Sequence, residues 1–385
     1  MTRSAPPFRL LLRFFLCLAT ALLLTVALTA PARADVAPPA KVLSRFETSA
    51  AGNNVSRDCG FSKKLPGSST QSLWLFCDSS WSGTSSGFWL GATAAVGAYT
   101  PGQVPTTLTE IPTPPAAIAA PSNRPPAGFL PVPSGLVLPD GTTCQVPGSS
   151  YGASWISGVA QEPSTADTTK LLITYADVCV HANGLPAERF GLVEYKPSTN
   201  ALSGQTQVFT TLSGLPFQKV LGSPIFSGGY LYLFGYVCDS SAFGVCAGGR
   251  VTLARVTATQ TAWRVGSNYR YWNGTGWSAN YADAQSVLSG AKPIAVHVED
   301  FSALGKGFVL IEQPDITGAF RVWRSTSLTS GWTITRTGNA PCGGQAGLNL
   351  CRAYFGHPEL STSSNLLMSY YDPSNDHVGV MAVPW

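Results

Sequence analysis

Asp58 and Asp78 each adjoin a cysteine, in Arg57-Asp58-Cys59-Gly60 and in Phe76-Cys77-Asp78-Ser79-Ser80-Trp81. Cleaving a glycosidic bond takes two carboxyl groups flanking it, about 5 to 10 Å apart. One protonates the leaving oxygen and the other activates water or attacks directly. If Cys59 and Cys77 are bonded, their Cα atoms lie within about 7 Å, which brings Asp58 and Asp78 to one locality. The same two residues also read as turn caps, a common use of Asp. Trp81, beside the second acid, offers an aromatic face on which a sugar could stack, or a core side chain.

Three further residues qualify as pocket groups. Asp177 ends the apolar run Leu171-Leu172-Ile173-Thr174-Tyr175-Ala176. In His357-Pro358-Glu359 the proline holds the backbone extended, so His357 and Glu359 point to one side of a strand. They could bind sugar hydroxyls, or they could lock two structural units together. His297-Val298-Glu299-Asp300 has the same look. The four histidines do not stand at zinc spacings and there is no C-x-x-C, so no metal site is expected. Phosphate-loop, serine-esterase elbow and zincin motifs are missing too, and no cofactor is expected.

The elements that position these residues follow from composition. Charged residues make up only 11% of the 385, with 39 Gly and 29 Pro. Such a chain suits many strands and tight turns rather than long amphipathic helices. Residues 1–34 carry Arg3, Arg9, Arg13 and Arg33, no acid, and the apolar run Phe14 to Ala30, followed by Pro31-Ala32-Arg33-Ala34. This is the pattern of a secretory signal cleaved after Ala34. The remaining body has 20 basic and 20 acidic side chains, which argues against nucleic acid as a partner. No later run is long enough to span a membrane. A secreted, monomeric protein is expected, free of the membrane once the signal is removed. The body keeps eight cysteines, an even number that reads as disulfides in an exported chain. About 105 pairings are open. Their order suggests neighbours: Cys59–Cys77, Cys144–Cys179, Cys238–Cys246 and Cys342–Cys351.

Five segments repeat one plan, a turn, a short apolar aromatic-rich strand, then an acid. They end at Asp78, Asp177, Asp239, Asp315 and Asp372, at spacings from 57 to 99 residues. Strict repeats are excluded, but blades of about four strands with variable loops are allowed. The pattern predicts an all-β, disulfide-stapled, five-bladed propeller over 35–385. Its blades fall near 56–112, 150–212, 218–280, 290–340 and 350–385, and residues 41–50 add a strand to the last. The apolar strands are read as the inner ones, converging on a central channel. Period 2 sets Trp74, Phe76 and Asp78 on one side of theirs. Residues 101–147 are crowded with proline and read as a loop or insertion after the first blade. Asn54-Val55-Ser56 and Asn273-Gly274-Thr275 match the glycosylation pattern by chance.

Three motifs resemble those of a family of secreted actinobacterial five-bladed propellers, long described as a domain of unknown function. They are Trp74-Leu75-Phe76-Cys77-Asp78-Ser79-Ser80, Tyr271-Trp272-Asn273-Gly274-Thr275-Gly276-Trp277 and His357-Pro358-Glu359-Leu360-Ser361. The family includes endo-D-arabinanases, and more distantly resembles the arabinanase and xylosidase propellers. Its first-blade strand usually reads Gly-Asp-Thr, where this chain has Cys77-Asp78-Ser79. The resemblance implies a cell-wall or plant polysaccharide as substrate, such as an arabinan. It also implies catalysis by Asp78 with Asp58 as the upstream acid; Trp81, Asp177, His357 and Glu359 are the substrate contacts read from their own chemistry and position. The alternative is a carbohydrate-binding or structural envelope propeller without catalysis.

Overall fold

The computed structural model describes residues 41–43, 55–81, 91–111, 128–131, 133, 135–136, 143–144, 150–181, 187–210, 221–242, 245–342, 351–373 and 377–385. Their strands form five antiparallel sheets, the blades of a propeller. The first sheet holds β2 (Val55–Lys64), β3 (Gln71–Trp81), β4 (Thr93–Ala98) and β5 (Leu108–Glu110). The second holds β6 (Ser150–Gln161), β7 (Leu171–His181), β8 (Ala187–Lys196) and β9 (Ala201–Thr210). The third has five strands, β10 (Gly222–Ser227), β11 (Tyr230–Ala242), β12 (Val245–Thr257), β13 (Arg270–Trp272) and β14 (Trp277–Ser278). The fourth runs through β15 (Ala295–Asp300), β16 (Phe308–Gln313), β17 (Ala319–Ser325) and β18 (Thr333–Asn339). The fifth holds β19 (Arg352–Gly356), β20 (Asn365–Asp372) and β21 (His377–Pro384). Its outermost strand is β1 (Lys41–Leu43), paired to β21. The N-terminal strand thus ties the last blade to the start of the chain, as expected. The rest of the expected closing segment, and most of the proline-rich stretch, lie outside the described residues.

The apolar strands are not the inner ones, which corrects the sequence reading. The first strand of each sheet touches the first strand of the next, β2 to β6 to β10 to β15 to β19 and back to β2. These five form the inner ring, and the apolar strands β3, β7, β11, β16 and β20 come second in their blades. The reason is burial. A second strand is covered on both faces by the adjacent blades and so reads as a continuous apolar run. Leu73 and Leu75 pack with Ile156 and Ile173 of the second blade, while Trp74 and Phe76 pack with Val378 and Val380 of the fifth. Likewise Leu172 packs with Leu231, Leu310 with Phe234, and Met368 with Ile311. Five such clusters fill the five gaps between blades. The inner ring carries the polar residues, among them Asp58, Ser62, His297 and Glu299.

All four disulfides join sequence neighbours: Cys59–Cys77, Cys144–Cys179, Cys238–Cys246 and Cys342–Cys351. Among the described residues no helix is long and apolar enough to cross a membrane.

Candidate functional site

The inner strands β2 and β19 are both bulged. Their pairing slips between Arg57 and Phe61 and between Arg352 and Phe355. At the slips, Cys59 (φ 71°) and Ala353 (φ 64°) take the left-handed conformation that side chains normally avoid. Gly60 follows at φ 118°, where a Cβ would stand 2.7 Å from Val378 Cγ1. A bulge re-aims the side chain beside it. Here the residues preceding the two left-handed positions, Asp58 and Arg352, meet. Arg352 Nη2 donates to Asp58 Oδ2 at 2.7 Å. The backbone N–H of Cys59 donates to Asp58 Oδ1 at 2.7 Å. The Arg352 guanidinium also lies 4.2 Å from the centre of the Tyr371 ring.

Asp78 sits on the neighbouring strand, where the Cys59–Cys77 bond holds the two Cα atoms 5.4 Å apart. Its carboxylate reaches to the second blade. Tyr151 Oη donates to Oδ2 at 2.9 Å and Trp155 Nε1 to Oδ1 at 2.8 Å. Trp74 and Phe76 pack toward the fifth blade instead. The simple alternation expected from Trp74 to Asp78 therefore does not describe where its contacts lie, because β3 bulges there and sets Cys77 and Asp78 against Asp58 alone. Burial pushes the Asp78 carboxyl up to about 7; the Trp155 and Tyr151 hydrogen bonds oppose this, and the charge of Asp58 adds to it. The Tyr151 phenol is itself held above its usual value by burial and by Asp78, so it stays a neutral donor. The two hydrogen bonds leave lone pairs on the carboxyl free to carry a proton.

Asp177 lies on β7 of the second blade and accepts from Ser154 Oγ at 2.7 Å and Gln207 Nε2 at 3.2 Å. Burial raises it as well. Trp81 ends β3, and its side chain lies outside the described ones.

His357 and Glu359 gather elsewhere. Ser62 Oγ is hydrogen-bonded to His357 Nδ1 at 2.6 Å and donates to Glu359 Oε1. Ser62 is four residues beyond Asp58 on β2, about 10–13 Å along an extended strand. The same group includes Lys63, which donates to Glu299 Oε2 at 2.9 Å, and His297, whose Nδ1 accepts from the Gly356 N–H at 3.1 Å. These bonds cross from the first blade to the fourth and fifth, and from the fourth to the fifth, so they join blades around the axis. Burial lowers His357 to about 3 and raises Glu299 to about 7. Among the described residues no group of three or more His, Cys, Asp or Glu is placed to hold a metal ion.

Sequence reasoning missed Tyr151, Arg352 and Tyr371, and read Trp155 as a core or sugar-stacking ring rather than a donor to Asp78. One signal was available: Arg352 follows Cys351 as Asp78 follows Cys77, a polar residue at a stapled strand end.

No protein-family model matches the chain, and no curated protein matches it. Solved structures do. A Bacteroides ovatus protein provisionally named a hydrolase aligns with 85% of this chain and 85% of its own, at 16% identity and a TM-score of 0.56. That likeness is one of fold. Weaker ones are to a family 117 glycoside hydrolase of Zobellia galactanivorans (TM-score 0.44, 11% identity, 89% of this chain and 88% of that one). A family 43 enzyme of Xanthomonas citri in complex with xylotriose scores 0.44 at 11% identity, over 91% and 90% of the two chains.

Proposed function

We propose that this chain is a secreted glycoside hydrolase that cuts a cell-wall or plant polysaccharide, an arabinan in the first instance. Asp78 is the general acid and Asp58 the carboxylate that activates water or attacks. The observation that carries this is the unequal pair itself. Asp78 is half-buried against Tyr151 and Trp155 and holds its proton up to about pH 7, whereas Asp58 is ion-paired to Arg352 at 2.7 Å. Two nearby carboxyls, one that holds its proton and one ion-paired to a cation, are the arrangement that glycoside hydrolysis uses. Asp78 would give its proton to the leaving oxygen and Asp58 would supply negative charge at the sugar carbon. Tyr151 and Trp155 would then donate to the Asp78 carboxylate as it forms. The resemblance of the three sequence motifs to the arabinanase-containing propellers supports the choice of arabinan. The signal pattern and the four disulfides support secretion, and the balanced charge supports a polysaccharide rather than nucleic acid as the partner.

A second reading is a carbohydrate-binding propeller without turnover. Asp58 favours it, because both its oxygens are already engaged, by Arg352 and by the Cys59 N–H. Release of reducing ends from a panel of arabinans and xylans separates the two. Turnover of any of them supports the hydrolase. Binding without release across the panel sinks it.

A further inference from the structure

Among the described residues the third blade alone carries a fifth strand, in the hairpin Arg270–Ser278. It sets Trp272 directly across from Trp277, ring centres 5.5 Å apart. Trp277 lies 5.9 Å from Tyr232, which lies 6.2 Å from Tyr230. Arg255 of β12 is inserted between two of these rings, its guanidinium carbon 4.3 Å from the centre of Tyr230 and 4.1 Å from that of Trp277. All five side chains are half-buried.

Packing accounts for the stem and the flat faces of Arg255, but not for its charge. A guanidinium has five N–H donors. Among the described residues that of Arg255 has no hydrogen bond and no ion pair, and none of its nitrogens is sealed from solvent. Its strand partner on the hairpin is Arg270, a second cation. Other partly buried arginines are answered, Arg264 by Glu194, Arg321 by Glu312 and Arg352 by Asp58, and Arg324 and Arg336 by backbone carbonyls. Arg255 is held rigid by two rings with its hydrogen-bonding edge unanswered.

We propose that this aromatic patch is a second glycan-binding site, separate from the Asp58–Asp78 pair, and that its ligand is a uronic-acid residue of an acidic polysaccharide. The apolar face of a sugar ring stacks on Trp or Tyr. A carboxylate on that sugar matches the planar fork of arginine in two parallel hydrogen bonds, which a neutral hydroxyl cannot do. Position supports a separate site. Tyr230 opens β11, the second strand of its blade, and pairs across to Thr257 at the end of β12, whereas Asp78 lies near the far end of β3, the second strand of the first blade. Such a patch would keep the protein on a mixed polysaccharide while the channel acts on a neutral chain.

The test is affinity electrophoresis and calorimetry of the mature protein with polygalacturonate, and with arabinan as the neutral control. Polygalacturonate should retard the wild type and Asp78→Asn equally. Arg255→Ala should lose at least tenfold in affinity, with its melting temperature within a few degrees of wild type. Arg255→Gln, which keeps much of the stem, should lose binding too, and it decides the matter if Arg255→Ala does not fold. Unchanged affinity in the folded Arg255 variants overturns the proposal. So does a wild type that polygalacturonate does not retard, or one whose Arg255-dependent binding is as strong for arabinan. None of these results bears on turnover at Asp78, which is measured separately.

Discussion

Arg352 of the last blade grips Asp58 of the first at 2.7 Å, across 294 residues of sequence. Each precedes a left-handed, non-glycine residue in a bulged inner strand. The contact sets the charge of the candidate site, because Arg352 also lowers the proton affinity of Asp78 while Asp58 raises it. Replacing Arg352 with Gln removes the cation and leaves Asp58 unbalanced. The Asp78 carboxyl should then rise further above 7. If Asp78 is the acid, activity falls as pH climbs through its pKa, so the alkaline limb of the wild-type profile should lie near pH 7. In Arg352→Gln it should move upward while turnover drops. An alkaline limb that stays in place, measured as kcat against pH, would remove Arg352 from this role.

Asp78→Asn keeps the size of the side chain and its reach to Tyr151 and Trp155 but cannot supply a proton. Turnover should fall by roughly 10² to 10⁴, with folding and glycan affinity retained. Wild-type cleavage by this variant would move the search to Asp177.

Blade number, the closing strand and the disulfide partners were legible because each depends on local pattern. Apolar runs recur, cysteines come in close pairs, and the expected blades match the observed sheets to within a few residues. The order of strands within a blade was misread. Apolar character marks burial between blades, not closeness to the axis, and the inner strands declare themselves by polar residues such as Asp58, His297 and Glu299. Tyr151 and Trp155 stand 73 and 77 residues from Asp78. No local pattern connects side chains that meet only when blades close into a ring.

The Cys59–Cys77 bond closes a loop of 18 residues and joins the two strands that carry the acids. For a loop of about that length the chain-entropy argument gives about 3 kcal/mol of stability. The double variant Cys59→Ser/Cys77→Ser should be destabilised by that order in denaturant titration. It should also lose activity at temperatures where it is still folded, because Asp58 and Asp78 lose their common brace. Non-reducing peptide mapping of the wild type should find Cys59 joined to Cys77. Any other partner would break the argument that brings the two acids together.

The polar group around Ser62 should shape the dependence of stability on pH from both sides. Glu299, like Asp78, has a folded-state pKa raised to about 7 by burial, against ordinary values of 4.5 and 3.8. A raised carboxyl favours the fold fully below its unfolded pKa, and that contribution disappears as pH rises through the folded value. His357 acts in the opposite sense. Burial lowers it from 6.5 to about 3, so its contribution is present above 6.5 and is lost as pH falls toward 3. The two carboxyls should therefore lower the melting temperature from about pH 4 to 7, where the unfolded chain ionises them and the fold keeps them protonated, a decline that His357 and His297 offset in part below 6.5. Lys63, at 2.9 Å from Glu299, reduces the cost of that ionisation without removing it. Glu299→Gln cannot ionise, so its melting temperature should fall less over the same interval, and Glu299→Gln/Asp78→Asn should be flatter still. Calorimetric melts at half-unit pH steps read this directly. A double variant that declines as steeply as the wild type would show that neither carboxyl is held protonated by the fold, and would remove Asp78 as a general acid at neutral pH.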